Sequence, residues 1–318
     1  MADAHDELIS LHRQMLLIRR FEEAAARAYS QGKVGGFLHL YIGQEASAVG
    51  ALATLGAGDS VVGTYRDHGL ALARGVTARA CMAELYGKVT GCSKGLGGSM
   101  HFFDAEKRML GGDGIVGGHV PVAAGVAFAS KYRGERDVTL CFLGEGAVSI
   151  GGFHEALSLA ALWSLPLIVI VENNEYSMGT PLSRTLSVHD TSEKAHGYGI
   201  ARDRFHAHDV LEVKRRVGEA VARARETSRP TLIEVQTYRY RGHSMSDPGK
   251  YRTADEIEAA KKTDAIAGAE LALRAAGLGD AFFAEVERSV DAEVDDAVRF
   301  ADESAEPGEE LIEALTYA

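Results

Sequence analysis

The chain has little cysteine, proline or tryptophan: three, six and one residues in 318. Each shortage excludes something. Cys81, Cys92 and Cys141 are odd in number and lack metal-ligand spacing, so they read as reduced thiols of a cytoplasmic protein. The six prolines are scattered, so no Pro-rich linker marks a domain boundary and one domain over residues 1–318 is expected. No excess of basic charge exists: 34 Lys and Arg face 45 Asp and Glu, a net charge of −11. That balance argues against nucleic acid as a partner. Long hydrophobic runs are also missing. Leu165–Val171 is the longest, far short of a bilayer span, so no membrane association is expected. The start, MADAHDELIS, has no basic region followed by an apolar core, and no signal peptide is expected. Repeats and low-complexity segments are absent. What the chain does have is 46% hydrophobic residues, enough for a full core.

The densest signal lies between Asp137 and Thr180. Val138–Leu143 is a short apolar run ending in Gly144–Glu145–Gly146, the length and flank of a buried strand. Phe153–Trp163 has helical spacing, with Phe153, Leu157, Ala160 and Ala161 on one side, and Pro166 interrupts it. Leu167–Val171 is unbroken and β-branched, the pattern of a strand covered on both faces of a parallel sheet. Strand, helix and strand make a βαβ unit with a right-handed crossover. Loops 144–150 and 172–178 therefore emerge at the carboxyl ends of parallel strands, where open α/β sheets bind ligands. Glu145 sits between glycines that allow close backbone approach, and Asn173–Asn174 follow the second strand. A carboxylate, a carboxamide and a backbone carbonyl are hard oxygen ligands suited to Mg²⁺. The helix beginning near Gly151 aims its N-terminus at the same place, favourable for an anion. A tight turn plus a polar loop is the competing, purely structural reading.

Gly144–Glu145–Gly146, about 26 intervening residues and then Asn173–Asn174 resemble the thiamine diphosphate motif. The resemblance implies metal ligation by Glu145, Asn174 and the main-chain oxygen of Tyr176, and places Gly146 and Ala147 at the cofactor. Glu145 departs from it, since Asp is usual there. Gly35–Tyr41 with Gln44–Glu45–Ala46 resembles the G-F-x-H-L-Y-x-G-Q-E-A stretch of 2-oxoacid dehydrogenase E1 α subunits. In that family the residue matching His39 lies beside the thiamine ring and is catalytic; a lone His is otherwise structural. Tyr65 and Arg66, in Thr64–Gly69, match positions that hold the diphosphate, and Arg offers the planar fork phosphate needs.

Residues 112–117 satisfy G-x-G-x-x-G. A dinucleotide site is not inferred, because that fingerprint needs a hydrophobic strand immediately before it and Lys107–Leu110 precedes it. The residues instead match the family's G-I-V-G loop, in which Gly114 and Val116 meet the aminopyrimidine ring. Arg241–Pro248, RGHSMSDP, resembles the loop after the last strand in pyruvate-using members. There His243 approaches the diphosphate and the channel of the second substrate, and Ser244 matches a phosphorylation position of mitochondrial relatives.

Around these motifs the patterning predicts a helix over 6–31, with Leu8, Leu11, Met15, Ile18 and Phe21 on one stripe. It also predicts a helix over 121–133, in which Gly125 and Ala129, four apart, would let another backbone pack closely, ordinary internal packing being the competing reading, and a weak strand over 205–208. A helix over 209–226 follows, with Asp209 and Glu212 as a capping box. Thr231–Tyr240 reads as a strand with Leu232, Glu234, Gln236 and Tyr238 on one face. A second capping box, Thr253–Glu256, opens a helical tail.

The fold class implied is α/β, a thiamine diphosphate-binding fold with a mostly parallel sheet and helices on both faces. An N-terminal helical extension (about 4–31) and a C-terminal tail (about 253–318) would flank it. The resemblance implies an E1 α subunit using thiamine diphosphate and Mg²⁺ to decarboxylate pyruvate and pass the acetyl unit to the lipoyl group of E2. Acetoin and branched-chain 2-oxoacid dehydrogenase α subunits share most of the motifs. The implied partners are an E1 β subunit in an α2β2 heterotetramer, the lipoyl domain of E2 and a small 2-oxoacid. The carboxylate that activates the aminopyrimidine has no candidate in this chain and is expected from the β subunit. A regulatory subunit without a working metal site and a nicotinamide dehydrogenase are the readings from other classes.

Overall fold

A computed structural model describes residues 2–316. Its centre is a six-stranded sheet, all of whose pairings are parallel, in the order β2-β1-β3-β4-β8-β7. The strands are β1 (Ser60–Thr64), β2 (Met109–Asp113), β3 (Thr139–Gly144), β4 (Leu167–Asn173), β7 (Ala201–His206) and β8 (Thr231–Gln236); β5 (Tyr176–Ser177) and β6 (Thr180–Pro181) form a separate antiparallel ribbon. Period-two alternation sends the strand side chains into two cores. Leu140, Phe142, Ile168, Ile170, Ile233 and Val235 enter one; Cys141, Leu143, Val169, Val171 and Leu232 enter the other. The first core is closed by α1 (Ala2–Ser30), α2 (Glu45–Leu52), α3 (His68–Arg74), α4 (Ala78–Leu85), α7 (Val210–Thr227), α9 (Ala265–Ala275) and α10 (Asp280–Glu303). The second lies under α5 (His119–Tyr132) and α6 (Gly151–Leu162). Helices α8 (Ala254–Lys261) and α11 (Glu309–Thr316) complete the tail, whose residues 317 and 318 lie outside the described part.

The βαβ unit forms as its pattern predicts, and every residue of β4 is buried. The N-terminal helix ends where Gly32 takes a φ of 74°. It is no extension: its predicted stripe is buried in the first core. Strand β8 stops at Gln236, and its one-face alternation is not observed, because residues 231–235 are buried on both sides. Glu234 tolerates this by accepting from Thr191 N and from Arg204 Nε, the latter at 2.9 Å. Strand β7 begins four residues before the predicted position. Neither capping box closes. Asp209 and Thr253 do cap their helices, but Glu212 binds Arg215 and Glu256 accepts from Tyr176 and Tyr238. Gly125 faces no neighbour and is exposed, so the helix does not pack internally there.

Met109–Asp113 is strand β2, and α5 opens two residues after Gly117. A strand, a glycine turn and a helix are therefore all present, and the premise on which the dinucleotide reading was set aside does not hold. The conclusion stands on topology. Strand β2 is the sheet edge, with β1 as its one strand neighbour, and Gly112 is demanded by the Asp67 carboxylate that a Cβ would strike.

Candidate active site

From β1 the chain steps outward to β2 and then returns to β3 on the other side of β1. Such a reversal opens a crevice at the carboxyl ends of the strands. A cleft of about 870 Å³, counting its part open to solvent, lies there. Its walls come from five loops: Thr64–Arg66 after β1, Asp113–His119 after β2, Gly144–Ala147 after β3, Asn174–Met178 after β4, and Arg239 with His243 after β8. Gln44 and Glu172 complete the lining.

Tyr65, Arg66, Val116, Glu145, Gly146, Ala147, Asn174, Tyr176 and His243, singled out from the sequence, all line this cleft. His39 and Gly114 do not. His39 stands just behind the wall, its ring 4.6 Å from Tyr65 and 5.2 Å from His243. Gly114 lies against the His101 ring instead. Sequence reasoning missed Gln44, His119, Glu172, Ser177 and Arg239. Arg239 carried one usable signal, a long cation three residues beyond a buried strand.

Glu145 is buried, and burial raises its carboxyl pKa. Its oxygens accept from Asn174 N at 3.4 Å and Ser177 Oγ at 3.2 Å. One nitrogen of Arg239 donates to Asn174 Oδ1 at 3.2 Å and to Tyr176 O at 3.4 Å. Those two oxygens therefore face one point, which the Arg239 guanidinium occupies. Among the described residues no group of three or more His, Cys, Asp or Glu side chains could hold a metal. A cation here would use one carboxylate, a carboxamide and a carbonyl, an oxygen set that leaves positions for water and phosphate as Mg²⁺ prefers. Gly144 borders open space where a Cβ would stand. The donors fit a diphosphate held through a divalent cation.

The opposite wall is positive. Arg66 is fixed by donating to Leu40 O at 2.6 Å and His243 O at 2.8 Å, which ties the two histidine loops together. Burial and Arg239 lower its pKa to about 10, so it stays charged at neutral pH. Burial, then Arg66, pushes His39 down to about 2 and His243 down to about 4. Both rings are neutral at pH 7, and their Nδ1 atoms have no partner among the described residues. Glu172 is raised to about 7 by burial.

A doubly covered parallel sheet with a crevice at its switch point, lined by Arg66 and Arg239, defines an α/β protein that takes its ligand at the carboxyl ends of the strands. The chain belongs to the dehydrogenase E1 component family, whose model matches residues 13–310. It is 44% identical over 313 residues to the pyruvate dehydrogenase E1 component subunit alpha of Rickettsia bellii, covering 98% of this chain and 96% of that one. It is 51% identical over 250 residues to the subunit of the same name from Rhizobium meliloti, covering 79% and 72%. It is also 45% identical over 310 residues to the chloroplastic subunit alpha-3 of Arabidopsis thaliana, covering 95% and 72%.

Proposed function

We propose that this chain is the α subunit of a pyruvate dehydrogenase E1 component, working with thiamine diphosphate and Mg²⁺. The observation that carries this reading is the convergence of Glu145, Asn174, Tyr176, Tyr65, Arg66 and His243 on one cleft, in a chain alike over nearly its whole length to subunits of that name. Thiamine diphosphate, when bound, supplies the nucleophilic carbon and the electron sink that decarboxylation of a 2-oxoacid needs. Glu145, Asn174 and Tyr176 O hold the metal. Arg66 and Arg239 set a positive potential where the phosphates lie, and Tyr65 offers a hydroxyl. Gly146 and Ala147 admit the diphosphate closely, and Gly114 and Val116 serve the aminopyrimidine.

His39 and His243, held neutral, act as proton donors and acceptors toward substrate and lipoyl group. Asp113, the carboxylate of the aminopyrimidine loop, is engaged by Ile115 N at 2.8 Å. As the resemblance implies, the activating carboxylate is assigned to a β subunit, and the lipoyl domain of E2 is the acceptor. No helix among the described residues is long and apolar enough to cross a membrane.

The test is co-expression with a β subunit and assay of a 2-oxoacid panel with a lipoyl acceptor. Pyruvate is expected to be turned over best, and the isolated chain is expected to be inactive. Preference for a branched-chain acid or acetoin would replace the substrate assignment. Glu145→Ala is expected to abolish Mg²⁺-dependent cofactor binding by calorimetry, and Glu145→Asp to retain it.

A further inference from the structure

Residues 37–41 belong to no helix or strand, yet Leu38, His39, Leu40 and Tyr41 are all buried. A buried stretch without regular structure must find partners for its backbone polar groups elsewhere. Two of its carbonyls go to the loops of the cleft: Leu38 O accepts from Met245 N at 2.9 Å and Leu40 O from Arg66 Nη1 at 2.6 Å. Two of its N–H groups go to buried side chains. His39 N donates to Ser99 Oγ at 3.2 Å, and Tyr41 N donates to Glu22 Oε1 at 2.8 Å. One ring joins these two acceptors. His68 Nδ1 lies 3.0 Å from both Glu22 oxygens, and its Nε2 lies 2.9 Å from Ser99 Oγ. Glu22, His68 and Ser99 form a clip whose two ends hold alternate N–H groups of the stretch that carries His39. Ser99 is also fixed along its own chain. It follows a glycine-rich stretch, 94–98, that winds round the buried Glu84 carboxylate. Glu84 accepts from Ser93 N, Gly95 N, Gly97 N and Gly98 N at 2.7, 2.8, 2.8 and 3.0 Å. Successive N–H groups aimed at one point make an anion cradle. Here the protein's own carboxylate fills it, which sets the backbone leading into Ser99.

We propose that Ser99 is a positioning residue for His39. Its hydroxyl oxygen takes the His39 N–H and so fixes where that ring stands beside Tyr65 and His243. Ser99 is 3% exposed, so it touches no substrate and water does not readily take its place. The Glu22–His68 pair stabilises the fold and holds Ser99 from behind. The inference rests on the reading of His39 as a catalytic acid or base. Misplacing a reacting group by about 1 Å can cost on the order of 10²-fold in rate. A loss of roughly 10- to 100-fold is therefore expected when the hold on His39 is removed.

The discriminating experiment is a double-mutant cycle in the complex assembled with a β subunit. Ser99→Ala removes the acceptor, and Ser99→Cys keeps the shape with a weaker one. Each is made in the wild type and in His39→Asn. In the wild type, Ser99→Ala is expected to lower kcat with pyruvate and a lipoyl acceptor roughly 10- to 100-fold, with the KM for pyruvate changed less than about twofold. In His39→Asn the same substitution is expected to cost less than about threefold, because the group it positions is already gone. Ser99→Cys is expected to fall between wild type and Ser99→Ala. Hydrogen exchange read by mass spectrometry reports the hold without turnover. The peptide covering 37–42 is expected to exchange an additional amide in Ser99→Ala, while peptides of α10 stay as in the wild type. An equal kcat loss in both backgrounds, or unchanged exchange over 37–42, makes Ser99 ordinary core packing and overturns the proposal. If Ser99→Ala does not assemble, Ser99→Cys is held to the same two outcomes. If His39→Asn alone keeps full turnover, the reading of His39 fails and the positioning role goes with it, even where exchange over 37–42 rises.

Discussion

His68 and His39 are both buried, 0% and 5% exposed, and they share a neighbour, yet they are opposite in character. Ser99 Oγ lies 2.9 Å from His68 Nε2 and accepts from His39 N at 3.2 Å. On the His68 side both ring nitrogens are matched. Its Nδ1 is 3.0 Å from both Glu22 oxygens and its Nε2 is 3.0 Å from Ser99 O, so both nitrogens carry protons and the ring is cationic. Glu22 accordingly raises its pKa against the burial that lowers it. On the His39 side the ring neighbours are Tyr65 and His243, and Arg66, His243, His68 and Arg239 all hold its pKa down. A matched buried group stabilises the fold; one left unmatched costs stability and is retained where a ligand completes it. Serine, histidine and glutamate in hydrogen-bond sequence would suggest a nucleophile, but Ser99 is 3% exposed and no substrate reaches it.

The comparison breaks first at His39. His39→Asn is expected to lower turnover with a lipoyl acceptor by roughly 10²- to 10⁴-fold, the range for a general acid or base. Cofactor affinity by calorimetry is expected to change little. A variant that keeps full turnover, or one that unfolds, would make His39 a structural residue like His68.

Glu22→Ala probes the matched side. It leaves a buried imidazolium uncompensated and strips the acceptor from Tyr41 N, 2.8 Å away. Breaking one side of a buried pair costs about 3–5 kcal/mol. Urea unfolding of the assembled complex should show that loss, and His39→Asn should lose clearly less. Equal losses would erase the distinction between the two regions.

What the sequence made legible follows the range of the forces involved. Glu145, Asn174 and Tyr176 sit on loops whose flanking strands announce themselves by unbroken apolar runs, so local patterning found them. Strand β2 was not legible because it is five residues, three of them glycine or aspartate, at a sheet edge. Strand β7 hid behind a polar alternation whose exposed positions outnumber the buried one. Gln44 and Glu172 are 128 positions apart and reach the same cleft only through tertiary packing, so neither pattern nor spacing could bring them together. Arg239 falls inside the strand expected over 231–240 and drew no site reading there. It is instead the largest of the fully buried side chains, surrounded by Asn174 Oδ1 and the carbonyls of Tyr176 and Met178.

The smallest expected effect is also the one in which the two regions oppose each other, the dependence of stability on pH. His39 and His243 titrate near pH 6.5 when unfolded and at about 2 and about 4 when folded. Above pH 6.5 they are neutral in both states and contribute nothing pH-dependent. As the pH falls below 6.5 the unfolded chain takes up protons that the folded chain refuses, so stability drops, down to about pH 4 for His243 and further for His39. His68 runs the other way. Its folded pKa is raised, so its contribution is complete below pH 6.5 and is lost as the pH rises through the folded value. Each ring can contribute at most about 1.4 kcal/mol per pH unit, and partial solvent access brings His243 below that ceiling. Other buried groups, such as Asp67, titrate near pH 7, so the informative quantity is a difference. The stability of His39→Asn minus that of wild type, by urea unfolding, should rise steadily from pH 6.5 to pH 4.5. The same difference for His68→Asn should fall across that interval's upper edge and flatten below it. A flat His39 difference would mean that the ring is charged in the folded protein, and that the cationic wall beside it does not set its protonation.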